Sequence, residues 1–229
     1  MAAEPRCLTP IGVVHSPFRQ KFGIPRQPRL APVEAEIELF PPLDGPEAVR
    51  GLEGFSHLWV VFAFHAAGEG GPTVRPPRLG GRDRLGVLAT RSTHRPNGLG
   101  LSAVTLKAVA PGRLILGGVD LLDGTPVLDV KPYLPWSDAI PDAAAGFAEA
   151  PPPARPVHFA PAAEAALAER TDGEDLRRRL AAVVALDPRP ATGRTEGRVY
   201  RMAFADVDVA FTEEEEGFRV LSLEASLRD

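Results

Sequence analysis

VEAEIEL, residues 33–39, alternates Val33, Ala35, Ile37 and Leu39 with Glu34, Glu36 and Glu38. A period of two is the mark of a strand with one face in a core and the other in water. Downstream, HLWVVFAF (57–64) is rich in aromatic and β-branched residues, as a buried strand would be. Residues 85–90, 101–109, 114–122 and 127–130 read as further strands, with Pro111-Gly112 and Asp123-Gly124 as turn signals between them. Residues 46–54 read as a short helix. Six or seven strands with few long helices predict a mainly β fold, an antiparallel barrel or sandwich. No G-x-G-x-x-G loop follows a strand, so a Rossmann nucleotide site has no support.

The rest of the chain has a different pattern. Residues 135–161 are rich in Pro and Ala and read as an extended connection. Residues 162–168 and 174–186 read as helices, the second with Leu176, Leu180, Val183 and Val184 on one face. Pro188 and Pro190 end that pattern. Residues 199–211 and 218–223 flank the polar 213–217 turn as a β-hairpin. The expected organisation is a β-barrel over 1–140, a linker over 141–161 and a small α+β domain over 162–229.

The 229 residues carry 26 Lys+Arg and 30 Asp+Glu, a net charge of −4 that argues at first against nucleic acid. Residues 1–135 hold a net +3, however, and residues 136–229 a net −7. Within 75–95 six arginines stand against one aspartate. Planar guanidinium groups clustered among Gly and Pro suit contact with a phosphate backbone. No apolar run approaches a membrane span, and MAAEPRCLTPIG lacks the apolar stretch of a signal peptide. The single Cys7 excludes an internal disulfide and a Cys-based zinc site. The expectation is a cytoplasmic protein without a metal.

Four segments hold more chemistry than a fold needs. In SPFRQKFGIPRQPRL (16–30), three prolines forbid a regular element while Phe18, Phe22 and Ile24 can anchor a rigid loop. In GLEGFSHLWVVFAFH (51–65), His57 reads as structural and His65 as lining a pocket; neither has ligands at metal spacing. RPPRLGGRDRLGVLATRSTHRPNGLGL (75–101) is basic and rich in donors. In DLLDGTPVLDVKPYLP (120–135), Asp120, Asp129 and Lys131 border a strand, where carboxylates must be paired or wet.

Together, PFRQKFGIPRQPRL (17–30), GLEGFSHLWVVFAFH (51–65), VRPPRLGGRDRLGVLATRSTHRPNGLGLS (74–102) and DLLDGTPVLDVKPYLP (120–135) closely resemble the TsaA/TrmO family. DPRPAT (187–192) and YRMAFADVDVAF (200–211) resemble its longer bacterial form. The resemblance implies an S-adenosylmethionine-dependent tRNA methyltransferase. Its substrate would be N6-threonylcarbamoyladenosine at position 37, in threonine tRNAs reading ACY codons, methylated on N6. It also implies a non-Rossmann β-barrel homodimer with the cofactor near the dimer interface. By motif match, cofactor contacts fall on Pro25, Arg26, Gln27, Phe64, His65, Arg91, Leu101, Leu122, Asp123, Gly124 and Thr125. The family usually reads RPNPIG where this chain has RPNGLG (95–100).

Methyl transfer from a sulfonium to a ureido-type nitrogen needs positioning and a proton acceptor. Asp123 or Asp129 is expected to accept the proton, with Lys131 and Tyr133 orienting. Arg75, Arg78, Arg82, Arg84, Arg95 and Asn97 are expected to hold the anticodon stem-loop. A hydrolase built on His57, His65 or His94 lacks a Ser or Cys elbow. The alternative is a non-catalytic sensor that binds S-adenosylmethionine or another adenine ligand.

Overall fold

The computed structural model describes residues 7–190, 195 and 197–226. Ala191 and Thr192 of the DPRPAT motif, and both chain ends, lie outside the described residues.

The strands of the first part are β1 (Gly12–His15), β2 (Glu34–Leu39), β3 (His57–Ala63), β4 (Thr73–Val74), β5 (Leu85–Gly86), β6 (Leu99–Ala110), β7 (Arg113–Gly117) and β8 (Pro126–Pro132). Six of them close a barrel in the order β1-β2-β7-β6-β3-β8, with every neighbouring pair antiparallel. The mainly β, barrel-forming expectation therefore holds. The alternation of residues 33–39 does what its period requires. Ile37 faces inward between Val14 and Leu114, while Arg113 grips Glu36 outside through two 2.7 Å hydrogen bonds. Val60, Phe62, Val104, Leu116 and Val127 complete the buried interior.

Two strands are shorter than their apolar runs suggest. Residues 114–122 stop being a strand at Gly117. Gly118 then turns at φ +66°, and its carbonyl accepts from Arg29 N–H at 2.7 Å. Residues 85–90 hold only the two-residue β5 before a 3-10 turn over Val87–Ala89. The 46–54 helix is likewise α1 (Pro46–Val49) followed by a 3-10 turn over Leu52–Gly54.

After a short helix, α2 (Pro135–Asp138), the chain reaches β9 (Val157–Phe159) inside the stretch expected as linker. It continues with α3 (Pro161–Ala168), α4 (Gly173–Ala185), β10 (Tyr200–Phe204), β11 (Val207–Glu214) and β12 (Gly217–Ala225). These strands form a sheet in the order β10-β11-β12-β9, with β9 parallel to β12. The run 199–211 is two strands, because Ala205 turns the chain at φ +53°. Leu176, Leu180, Val183 and Val184 are buried, as the helical spacing of α4 predicts.

The two sheets meet through the 16–30 loop. Phe18, 1% exposed, packs edge-on against Phe204 at 5.6 Å, and Ala205 N–H donates to Pro17 O at 2.8 Å. Phe22 stacks on Tyr200 and Phe211. Beneath them lies Arg189, 1% exposed, bonded to Asp187 and Glu213 and set 5.0 Å from the Phe218 ring. A buried arginine is tolerable only with such partners, and removing one side of the pair is costly. Arg189→Met should lower the free energy of unfolding by about 3 kcal/mol in a urea titration. Hydrogen bonds from Arg189 and Arg155 hold the Glu213 carboxyl down to about 2. Its stabilisation is thus complete above the ordinary glutamate value and is lost as pH falls toward 2. In Arg189→Met the acid-induced part of the stability profile should become shallower.

Candidate cofactor and nucleic-acid site

The site is assembled on the loop leaving β1. Ser16 Oγ donates to Leu121 O at 2.7 Å and accepts from Phe18 N–H at 3.2 Å. Asp123 receives Ser16 N–H on Oδ1 at 2.8 Å and Arg19 on Oδ2 at 3.1 Å, while its own N–H donates to Phe18 O. Both carboxylate oxygens of Asp123 are thus engaged in joining the 16–30 loop to the 121–125 turn. Gly124 N–H donates to Val14 O, and Val14 N–H to Thr125 O. These bonds continue the β1 ladder into the turn.

Three further ties gather the rest. Lys21 Nζ donates to Ala66 O at 2.9 Å, which brings the loop to the residues after β3. Phe64 N–H donates to Gly98 O at 2.7 Å. Arg91 donates to Gln27 Oε1. The segments holding Pro25–Gln27, Phe64–His65, Arg91 and Leu122–Thr125 therefore meet at one end of the barrel. Pro25 is buried, Gln27 half-buried, and Arg26, His65 and Arg91 exposed. Lys21, Pro25 and Arg26 also line a cavity of about 250 Å³ whose opposite wall is Pro188, Arg189 and Pro190.

None of these bonds joins Leu101, Asp129, Lys131 or Tyr133 to the four segments. Leu101, 58% exposed, faces outward from β6, opposite Val61 of β3. A bulge between Val61 and Phe62 lets Val127 face inward while Asp129 faces outward beside Val61. Leu101, Val61 and Asp129 form one row on the outer wall, so Asp129 stands roughly 10 Å from Leu101 at ordinary strand spacing. Lys131 pairs with Asp129 at 3.2 Å. The Tyr133 ring packs against Trp59 and His57. His57 is satisfied by Ser56 Oγ at 2.9 Å, in keeping with a structural role.

Of the basic stretch, Arg75, Arg78, Arg82, Arg84 and Asn97 are exposed. Arg84 donates to Thr73 Oγ1 across the β4–β5 hairpin, and Arg78 to Ala150 O. Arg95 is half-buried and donates to Thr90 O at 2.7 Å, bracing the loop rather than projecting from it. Gly98 sits at φ +58°, a conformation closed to the proline usual in the family at this place.

Sequence reading passed over the pairing of Asp120 with Ser102. Ser102, 3% exposed, faces inward from β6 and donates to Asp120 Oδ1 at 2.7 Å. Burial pushes the Asp120 carboxyl up to about 6, against the opposing effects of the Ser102 hydrogen bond and the Arg91 charge. The only sequence signal was a serine between Gly100 and Val104 on the inward face of β6. Among the described residues there is no cluster of three or more His, Cys, Asp or Glu able to hold a metal, and no helix long and apolar enough to cross a membrane.

A closed barrel carrying a loop-built, arginine-bearing cleft at one end is a ligand-binding β-barrel without a Rossmann sheet. The chain belongs to the TrmO family: residues 13–139 match the tRNA-methyltransferase O N-terminal domain and residues 152–226 the TrmO C-terminal domain. It is 46% identical over 234 residues to a tRNA (adenine(37)-N6)-methyltransferase of Escherichia coli, covering 93% of this chain and 96% of that one. It is 51% identical over 210 residues to RcsF of Pseudomonas aeruginosa, a candidate S-adenosylmethionine-dependent methyltransferase, covering 88% and 90%. A crystal structure of TrmO from Pseudomonas aeruginosa superposes with a TM-score of 0.81 at 42% identity, covering 97% and 99%.

Asp123→Ala should free the 16–30 loop. Ser16 N–H would lose its acceptor, at a cost of about 1–2 kcal/mol, and hydrogen exchange at that amide should accelerate. Arg19→Ala, which removes only an exposed partner, should cost less than about 1 kcal/mol and leave exchange at Ser16 nearly unchanged.

Proposed function

We propose that this chain is an S-adenosylmethionine-dependent tRNA methyltransferase acting on N6 of N6-threonylcarbamoyladenosine at position 37 of threonine tRNAs reading ACY codons. It works as a cytoplasmic homodimer, with cofactor and chemistry carried by residues 1–140. The observation that carries this reading is the convergence of four separate segments, all expected at the cofactor, on one barrel end. The names of the Escherichia coli and Pseudomonas aeruginosa relatives support the reaction and the cofactor.

The residues fit that cofactor. Phe64 offers an aromatic side chain and Arg91 a cation for a carboxylate, while the 122–125 turn, its Asp123, Gly124 and Thr125 N–H groups held within the protein, would serve as a rigid wall. When bound, S-adenosylmethionine supplies an electrophilic methyl on a positively charged sulfur. The protein's share is to hold the acceptor nitrogen in line with it and to take that nitrogen's proton. Asp129, with Lys131 at 3.2 Å and Tyr133 beyond, is the proposed proton acceptor on the outer wall. Asp123 serves the loop instead, through Ser16 and Arg19. Exposed Arg75, Arg78, Arg82 and Arg84 track the anticodon stem phosphates, with Asn97 nearer the cleft and Arg95 bracing it.

Labelled methyl groups should pass from the cofactor to tRNA from normal cells and not to tRNA from cells lacking threonylcarbamoylation. Binding of the cofactor without any transfer would mark a sensor. Asp129→Asn should slow the single-turnover rate with bound tRNA by at least about 100-fold; an unchanged rate excludes Asp129 as the proton acceptor. Neutralising Arg78, Arg82 and Arg84 should weaken tRNA binding and reduce the slope of log affinity against log salt by about 1 per lost phosphate contact. Sedimentation at micromolar concentration tests the dimer.

A further inference from the structure

We propose that the cavity between the 16–30 loop and the Pro188–Pro190 turn receives the threonylcarbamoyl group of the modified adenosine, with Lys21 and Arg26 taking its carboxylate. This inference rests on the substrate reading above and gives a place to the part of that substrate that sets it apart from plain adenosine. The cavity holds about 250 Å³. Pockets for whole drug-sized ligands run from roughly 300 to 1,000 Å³. S-adenosylmethionine, with its adenosyl and methionyl halves, needs a larger space than this. The cavity has the size for a substituent no larger than an amino acid.

Its position suits the reaction. The N6 atom that accepts the methyl also bears the carbamoyl group, so the threonyl carboxylate lies only a few bonds from the transferred methyl. A pocket for it must border the cofactor site. The cavity does so through Pro25 and Arg26, which belong to the loop expected at the cofactor. On another side it is walled by Pro77, next in sequence to Arg78 of the basic stretch. The walls are tied together: Arg78 donates to Ala150 O, and Arg155 N–H donates to Ala185 O at 3.0 Å.

Its lining suits the ligand. Pro25, Pro77, Pro152, Pro188 and Pro190 all face it. A proline has no N–H to give, so a bound carboxylate must be held by side chains. The cations of the lining are Lys21, Arg26 and Arg189. Arg189 is engaged in the fold: it is bonded to Asp187 and Glu213, and Arg155 on Glu213 completes a balanced group. Lys21 Nζ donates to Ala66 O, a neutral acceptor, so its charge is not cancelled there, and an ammonium has further N–H groups to give. Leu30, Val183 and Leu186 supply apolar contact for the threonyl methyl. Walls stiffened by proline need little ordering when the ligand enters.

The experiment measures binding of synthetic threonine-tRNA anticodon stem-loops to the full chain saturated with S-adenosylhomocysteine, which has no methyl to transfer. Three stem-loops differ only at position 37: adenosine, N6-threonylcarbamoyladenosine, and the latter with its carboxylate blocked as a methyl ester. Wild type should bind the free acid at least about tenfold more tightly than either of the others, the weight of hydrogen bonds to a charged group. Lys21→Gln keeps a donor for Ala66 O and removes the charge; it should lose most of that preference, as should Arg26→Gln. Leu30→Trp fills the cavity from a half-buried position. It should lose the preference with unchanged affinity for S-adenosylhomocysteine. The preference is a ratio between stem-loops, so a general weakening of RNA binding does not move it, and circular dichroism checks folding. The wild-type comparison of acid with ester needs no variant at all. The proposal is overturned if wild type binds the ester as tightly as the acid, or if either Lys21→Gln or Leu30→Trp keeps the wild-type preference. It is also overturned if Leu30→Trp weakens S-adenosylhomocysteine binding as much as it lowers the preference, which would give the cavity to the cofactor. Methyl transfer from labelled S-adenosylmethionine separates the two readings. A wild-type chain that methylates the unmodified stem-loop as readily as the modified one overturns the substrate reading and this inference together. Methylation confined to the modified stem-loop, with a preference that ignores the cavity variants, overturns this inference alone.

Discussion

Four residues, Gly12–His15, close the barrel, and the rest of the molecule depends on that closure. β1 pairs with β2 on one side and β8 on the other, so the open edges of both are satisfied at once. The fit is tight. A Cβ on Gly12 would stand 2.4 Å from Glu38 O, so any side chain there would push the closing strand off its partner. Because β1 is so short, its direction is set by the ladder alone. That direction places Ser16 within reach of Leu121 and Asp123 as the chain leaves the barrel.

The loop that starts there does two jobs with alternate residues. Phe18 and Phe22 face the second sheet, and Gly23 passes so close to Met202 that a Cβ would meet its sulfur at 3.0 Å. Lys21 and Gln27 face the other way, to Ala66 and Arg91. The apolar anchors hold the polar residues in place without regular backbone structure. Three prolines limit the loop's freedom in the unfolded chain as well, which lowers the entropy lost on ordering it. The small second sheet is therefore part of what shapes the cleft: its aromatic face is the surface on which the cleft loop is moulded.

Wherever a residue's surroundings come from its own neighbours in sequence, the chain can be read directly. The alternation of 33–39, the aromatic run at 57–64 and the helical face of Leu176, Leu180, Val183 and Val184 all stand as read. So does the basic character of 75–95, hidden in the acidic total and present as five exposed arginines and the half-buried Arg95. Elements that owe their form to partners far along the chain were not legible. β1 and β9 have too few residues to show a period, and each exists because a neighbouring strand needs pairing. The outward turn of Asp129 follows from a bulge that no residue type announces. Asp120 could not be told from a surface aspartate until β6 laid Ser102 against it.

Gly98 shows how the fold absorbs a departure from the family's usual residue. At φ +58° it takes a conformation that proline cannot reach, so this chain's turn is not a loosened copy of a proline turn. It is closed by two backbone bonds instead, Gly98 N–H to Arg95 O at 3.1 Å and Phe64 N–H to Gly98 O at 2.7 Å. The first bond requires an N–H that proline lacks. The second ties the turn to the end of β3, beside the exposed His65. Just beyond, Gly100 lies flat against Phe62, where a Cβ would stand 2.3 Å from the ring. Rigidity that a proline ring would supply covalently is here supplied by hydrogen bonds and close packing. The order of the segment between Arg95 and Ser102 thus follows from the barrel strands on either side of it.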